Sequence, residues 1–238
     1  MQKCSRLLSH AALVSLCSSH LGADSVTRPQ IPVPEPVRSG RVSTMPRPVL
    51  LIHGFKDDAQ KMEPLRRHLE SRGFPAEAVT LRPSLGQASL EELAEQVAGF
   101  ARERFGPSGP MDVVGFSMGG LVARYYVQKL GGADRVRRLV TVASPHHGTL
   151  LAWCVPNSGG RQMRPGSAFL RDLNADQDWL RRVEVTSIWT PLDLMILPAS
   201  SSRLEGARNI RKWVLAHPLM VLQRSCLESV TTALGDET

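Results

Sequence analysis

The sequence predicts an α/β protein built on a mostly parallel sheet with helices on both faces. Three observations point there. Residues 49–52, Val-Leu-Leu-Ile, form an unbroken apolar run of the kind seen where a strand is buried on both faces. From that point strand-like runs alternate with helix-like stretches to the end of the chain, the pattern of parallel strands joined by crossover helices. Finally, residues 113–120, Val-Val-Gly-Phe-Ser-Met-Gly-Gly, set Ser117 between Gly115 and Gly119 where a strand-like run meets a helix-like one. A turn that sharp has no room for side chains two residues to either side of the serine.

The elements follow in order. After the first strand comes His53-Gly54-Phe55, then Met62, Leu65 and Leu69 at helical spacing, with Gly73 as the stop. Val79-Thr80-Leu81 reads as a short strand. Ser89 and Glu92 form a capping box, and Leu90, Leu93, Val97 and Phe100 mark one helix face as far as Gly106-Pro107. Residues 111–114 are the strand that enters the serine turn, and 121–130 the helix that leaves it, ended by Gly131-Gly132. Residues 136–142 and 185–189 are rich in β-branched side chains and read as strands, as does 210–215. A final helical stretch covers 218–234. In such a sheet the functional loops gather at the carboxyl ends of the strands.

Length and composition bound the function. A chain of 238 residues with 42% apolar content suits one well-buried domain, here 48–238, preceded by a tail. The formal charge is +7, but the basic residues are scattered and aromatic residues are only 5% of the chain, which argues against nucleic-acid binding. The pairs Arg66-Arg67, Arg137-Arg138 and Arg181-Arg182 are too short for a polybasic tract, which leaves attraction to anionic lipid or polysaccharide only an option, with peripheral lipid contact one form of it. Residues 1–23 carry Lys3 and Arg6, a weakly apolar stretch and Ala23, a poor match to a secretory signal that competes with a disordered tail. Secretion or export to the periplasm follows from the first reading and a cytoplasmic location from the second. Residues 24–47 are proline-rich and read as a linker. No run of 18 apolar residues occurs, so no spanning helix is expected. Cys154 and Cys226 pair only if the protein is exported, and no metal-ligand spacing is present.

The serine directs the chemistry. A serine hydroxyl is a weak nucleophile at neutral pH, so Ser117 needs a histidine to take its proton and an acid to orient the imidazole. In this architecture the chain order is serine, acid, histidine. Of His146, His147 and His217, only His217 follows a late strand, and it is the expected base. Asp193 lies just past the 185–189 run, with Pro191 turning the chain out of the sheet, and is preferred as the acid over Asp172, Asp176, Asp178 and Glu184. The backbone N–H groups of Met118 and Phe55 are the expected oxyanion donors. His53 is read as structural, and His146-His147 as part of a loop rather than a metal site. No cofactor and no metal are expected.

Taken together, Ile52-His53-Gly54-Phe55, Val114-Gly115-Phe116-Ser117-Met118-Gly119-Gly120-Leu121 and Ala143-Ser144-Pro145-His146-His147-Gly148-Thr149 resemble bacterial triacylglycerol lipases of the α/β-hydrolase superfamily. Residues 162–167, 186–193 and 204–209 are similar to the small class 2 lipases related to the minimal, lidless Bacillus type. The resemblance covers about residues 48–230. It implies a lipid or small ester substrate, an acyl-enzyme on Ser117, Asp193 as acid, His217 as base, and Phe55 and Met118 as oxyanion donors. A short-chain carboxylesterase, an acyltransferase or a binding member of the same fold are the alternatives; the oligomeric state is left open. One departure is Pro218 directly after His217, which predicts extended backbone at the histidine. Residues 150–161 are too irregular to assign as lid or loop.

Overall fold

Among the described residues six strands make one sheet in the order β2-β1-β3-β4-β5-β6, with every neighbouring pair parallel. The strands are β1 (Val49–Ile52), β2 (Ala76–Val79), β3 (Met111–Phe116), β4 (Val136–Val142), β5 (Glu184–Trp189) and β6 (Arg208–Arg211). The computed structural model of the chain describes residues 46–235. The expected leader, and the proline-rich segment up to residue 45, therefore lie outside the described residues. Among the described residues no helix is long and apolar enough to cross a membrane.

β1 is apolar throughout because both of its faces are covered. From β1, Leu50 and Ile52 enter one core and Val49 and Leu51 the other, as the two-residue period of a strand requires. The first core is closed by α2 (Leu90–Phe105), α3 (Met118–Lys129) and α5 (Ala168–Ala175); the second by α1 (Glu63–Ser71) and α6 (Arg224–Gly235). Helix α1 buries Leu65 and Leu69 and stops before Gly73, whose φ of 84° is left-handed. Helix α2 begins on the expected capping box, with Ser89 accepting from the Glu92 N–H and Glu92 accepting from the Ser89 N–H. Such a cap is worth about 1 kcal/mol.

Both edge strands of the sheet differ from their expected bounds. β2 ends at Val79 instead of spanning 79–81; Leu81 is buried beyond it, where its N–H donates to His53. β6 covers Arg208–Arg211, and 212–215 is irregular. The β6 residues are mostly exposed, whereas Trp213 and Leu215, which suggested a strand, stand out into solvent. An edge strand takes its place from backbone pairing with β5, which needs no apolar sequence. β3 runs two residues further than the apolar pattern suggested, to Phe116, and α3 begins directly at Met118.

Candidate active site

Ser117 sits between β3 and α3 with φ 54° and ψ −124°, a conformation that a non-glycine residue adopts only under constraint. Its amide is held by the Val142 carbonyl of β4 at 2.8 Å. The flanking glycines answer a steric demand. A Cβ on Gly115 would lie 2.6 Å from the Gly119 carbonyl oxygen, and one on Gly119 would lie 2.4 Å from the carbonyl oxygens of Ile52 and His53. The turn is therefore pressed against the end of β1, and any side chain there would displace it.

That contact brings the loop after β1 over the serine. A Cβ on Gly54 would be 3.0 Å from the Ser117 Cβ. His53 is fully buried, its Nδ1 2.9 Å from the Gly54 carbonyl oxygen and its Nε2 accepting the Leu81 N–H at 2.9 Å. The second bond makes Nδ1 the protonated nitrogen, so it donates to the Gly54 carbonyl. Burial also holds the His53 pKa below the usual histidine value. In a trans peptide the N–H points opposite to the C=O, so the Phe55 N–H is turned away from His53. Neither this amide nor that of Met118 has a protein acceptor among the described residues.

His217 and Asp193 meet. His217 Nδ1 and Asp193 Oδ2 are 2.7 Å apart, both residues nearly buried, and the other oxygen of Asp193 accepts from the N–H groups of Met195 at 2.8 Å and Ile196 at 2.9 Å. With the carboxylate bonded on both oxygens, its direction is fixed. Thr190 ties the loop after β5 to the histidine loop, donating to the Val214 carbonyl at 2.9 Å. Thr149 ties the loop after β4 to the Asp193 loop through the Met195 carbonyl and the Leu197 N–H. His217 packs on Phe116, their ring centroids 4.9 Å apart. It opens a short 3-10 turn (His217–Val221), and the extended residue is Ala216, at φ −150° and ψ 141°. The backbone expected at His217 thus falls one residue earlier. Pro218 fits in the first turn because it lacks the N–H that would have no partner there, and Leu219 closes the turn by donating to Ala216.

Ser117 and His217 line one cavity of about 340 Å³, walled mainly by apolar side chains including Phe55, Leu151, Met163 and Ile196. Among the described residues no hydrogen bond joins the serine hydroxyl to the imidazole; such contacts are often long before substrate binds. Residues 150–161, which the sequence left unassigned, contain a 3-10 turn (Leu150–Cys154) and most of the short helix α4 (Ser158–Gln162), and the turn walls the cavity. Asp57 and Lys61 also line it, and burial raises the Asp57 pKa against the pull of Lys61. Nothing in the local sequence marked these two; the fold of the β1 exit loop places them.

The other candidates are occupied elsewhere. Asp172 and Asp176 pair with Lys129, and Glu184 pairs with Arg137 and Arg138. Asp178 lies in a 3-10 turn, Asp178–Arg181. His146 is buried, with Nδ1 3.3 Å from Arg124 Nη1 and Nε2 3.0 Å from Thr141 Oγ1, so both ring nitrogens are engaged. Burial, then the nearby Arg124 charge, pushes its pKa well down. Among the described residues no group of three or more His, Cys, Asp or Glu side chains is arranged to hold a metal ion. Cys154 is exposed and Cys226 buried, and both are free thiols, so the pairing entertained for them does not form.

The fold is shared with known hydrolases. A Bacillus licheniformis lipase in its mature form superposes with a TM-score of 0.65 at 15% identity, covering 84% of this chain and 96% of that one. Aspergillus fumigatus lipase B gives 0.67 at 16% identity over 85% of this chain and 55% of that one. The thioesterase domain from the curacin biosynthetic pathway gives 0.56 at 14% identity, over 79% and 90%. At these identities the likeness is one of fold. The sequence itself matches the Palmitoyl protein thioesterase family over residues 48–190, more than half of the chain, from the start of the β1 segment past the serine turn to the end of β5. The chain therefore belongs to the palmitoyl protein thioesterase family and has the α/β-hydrolase fold.

Proposed function

We propose that the protein hydrolyses apolar acyl esters or thioesters through an acyl-enzyme on Ser117. The observation that carries this reading is the 2.7 Å contact between His217 Nδ1 and Asp193 Oδ2 at a cavity that also holds a strained serine. In this reading His217 Nε2 takes the Ser117 proton as Oγ attacks the acyl carbon. The tetrahedral oxyanion is met by the N–H groups of Phe55 and Met118. Imidazolium then returns the proton to the leaving oxygen or sulfur, and water repeats the sequence to free the acid. Asp193 holds the imidazole in the tautomer with Nδ1 protonated and balances its positive charge while it exists.

The apolar wall of the cavity suits an acyl chain. A second, more polar groove of about 950 Å³ adjoins it, sharing Lys56, Asp57 and Lys61, and suits the leaving group. The family match favours a thioester leaving group beside the oxygen ester expected from the lipase resemblance. The test is a paired chain-length series, p-nitrophenyl esters against S-acyl thioesters of the same acids, with Ser117→Ala as control. Turnover of either series that rises with chain length and vanishes in the variant supports the reading; turnover retained in the variant refutes it. An acyltransferase would be recognised by acylated acceptor alcohol exceeding free acid.

We propose also that the protein is exported, on the basic residues, apolar stretch and Ala23 of residues 1–23; the two free thiols lend this no support.

A further inference from the structure

Among the described residues every large apolar side chain left exposed follows the carboxyl end of a strand. Eleven such residues lie in the loops after β2, β4, β5 and β6, and none lies at the opposite end of the sheet or on an outer helix face. The most exposed are Leu215 at 78%, Leu194 at 74%, Trp213 at 66% and Trp153 at 61%. Scattered exposed hydrophobics are ordinary on soluble proteins, but concentration at one end marks a contact surface.

The charge beside the two tryptophans is one-sided. Arg164 lies over the Trp153 ring, 4.4 Å from its centroid, and Arg211 over the Trp213 ring at 5.3 Å. No carboxylate pairs with either arginine among the described residues. The segments that carry the two tryptophans, 143–167 and 211–223, contain Arg161, Arg164, Arg211 and Lys212 and no Asp or Glu at all. A second copy of this surface would set cations against cations, which disfavours self-association. An indole with its polar edge at the headgroups and an arginine beside it reaching phosphate is the arrangement that suits a lipid interface.

We propose that this end of the molecule docks on an anionic phospholipid bilayer, with Trp153 and Trp213 entering the interface and Arg164, Arg211 and Lys212 meeting lipid phosphates. Docking there presents the cavity of Ser117 to the membrane, since Leu151 and Met195 belong both to the exposed rim and to the cavity wall. The inference does not depend on the proposed hydrolysis, and Ser117→Ala protein should bind as the wild type does.

The test is vesicle sedimentation of the full chain with phosphatidylcholine vesicles, with and without phosphatidylglycerol. The expected result is binding at least about tenfold tighter with the anionic lipid and weakened by salt. The Trp153→Ala/Trp213→Ala double variant should lose about tenfold or more in binding while keeping wild-type turnover of a soluble short ester or thioester, since neither tryptophan lines the cavity. A blue shift of wild-type tryptophan fluorescence on adding the anionic vesicles is expected independently of any variant. Equal binding by the double variant, indifference to anionic lipid or an unchanged emission spectrum would each overturn the proposal. So would a concentration-dependent dimer that the double variant abolishes, which would make the rim a contact between copies.

Discussion

Asp193 holds His217 by one carboxylate oxygen, at 2.7 Å, and is itself held by two backbone N–H groups on the other. The first bond keeps the proton on Nδ1 and leaves Nε2 of the imidazole to face the cavity. An amide at position 193 would keep the shape and spoil the proton assignment, because its NH₂ group donates where the carboxylate accepts.

Asp193→Asn should therefore lower kcat by about 10³- to 10⁴-fold with little change in KM, the signature of a misplaced tautomer. Thermal unfolding should shift only modestly. Steady-state kinetics on a soluble substrate checks this, and wild-type kcat in the variant would remove Asp193 from the mechanism.

Gly54→Ala tests the close approach of the β1 exit loop to the serine. The new methyl meets the Ser117 Cβ at 3.0 Å and Phe116 at 3.3 Å, so the loop has to lift. In the proposed mechanism that moves the Phe55 N–H away from the oxyanion, and losing one such donor costs roughly 3 kcal/mol of transition-state stabilisation, about 10²-fold in kcat. The expected outcome is that loss in kcat with a folded protein by circular dichroism.

Much of this site was legible in the sequence because its parts sit beside local signals. Ser117 lies between glycines, Phe55 follows the one fully apolar first strand, and Asp193 and His217 lie in loops on the late side of the chain. The sheet interior was legible for the same reason, since β1, β3, β4 and β5 lie inside the sheet and each carries a largely buried apolar or β-branched run. The edges were not. Arg208–Arg211 has no apolar pattern to betray a strand, and Trp213, Val214 and Leu215 misled because two of the three face solvent. Nor did anything local foretell that Arg124 on α3 would reach His146 in the β4 loop and Asn174 on α5, or that His53 would clamp the Gly54 peptide.

The Arg124 cluster carries a stability prediction. The guanidinium is almost fully buried, bonded to Gln128, Asn174, the Leu173 carbonyl and His146, and burial pulls its pKa down to about 10, still well above neutrality. Arg124→Ala strands those acceptors and opens a cavity, and should cost about 3 kcal/mol or more in chemical denaturation. A change within experimental scatter would show the cluster to be dispensable.

The buried histidines make the fold less stable in acid. His146 and His53 have folded-state pKa values below the usual 6.5, mainly through burial, so the unfolded chain binds protons that the folded chain does not. Their contribution is complete above that value, and stability falls as pH drops below it, by about 1.4 kcal/mol per pH unit for each histidine between its unfolded and folded pKa. His146→Gln should flatten the dependence of unfolding free energy on pH below 6.5 by about one proton. Urea titrations at a series of pH values read this directly.

The central claim, that Ser117 is the nucleophile of this fold, is tested most directly by intact-mass spectrometry after incubation with a fluorophosphonate. The account predicts one stoichiometric adduct on the wild-type chain, mapped to the peptide containing Ser117, and none on Ser117→Ala. An unmodified wild-type protein, or an adduct that persists in the variant, would contradict it.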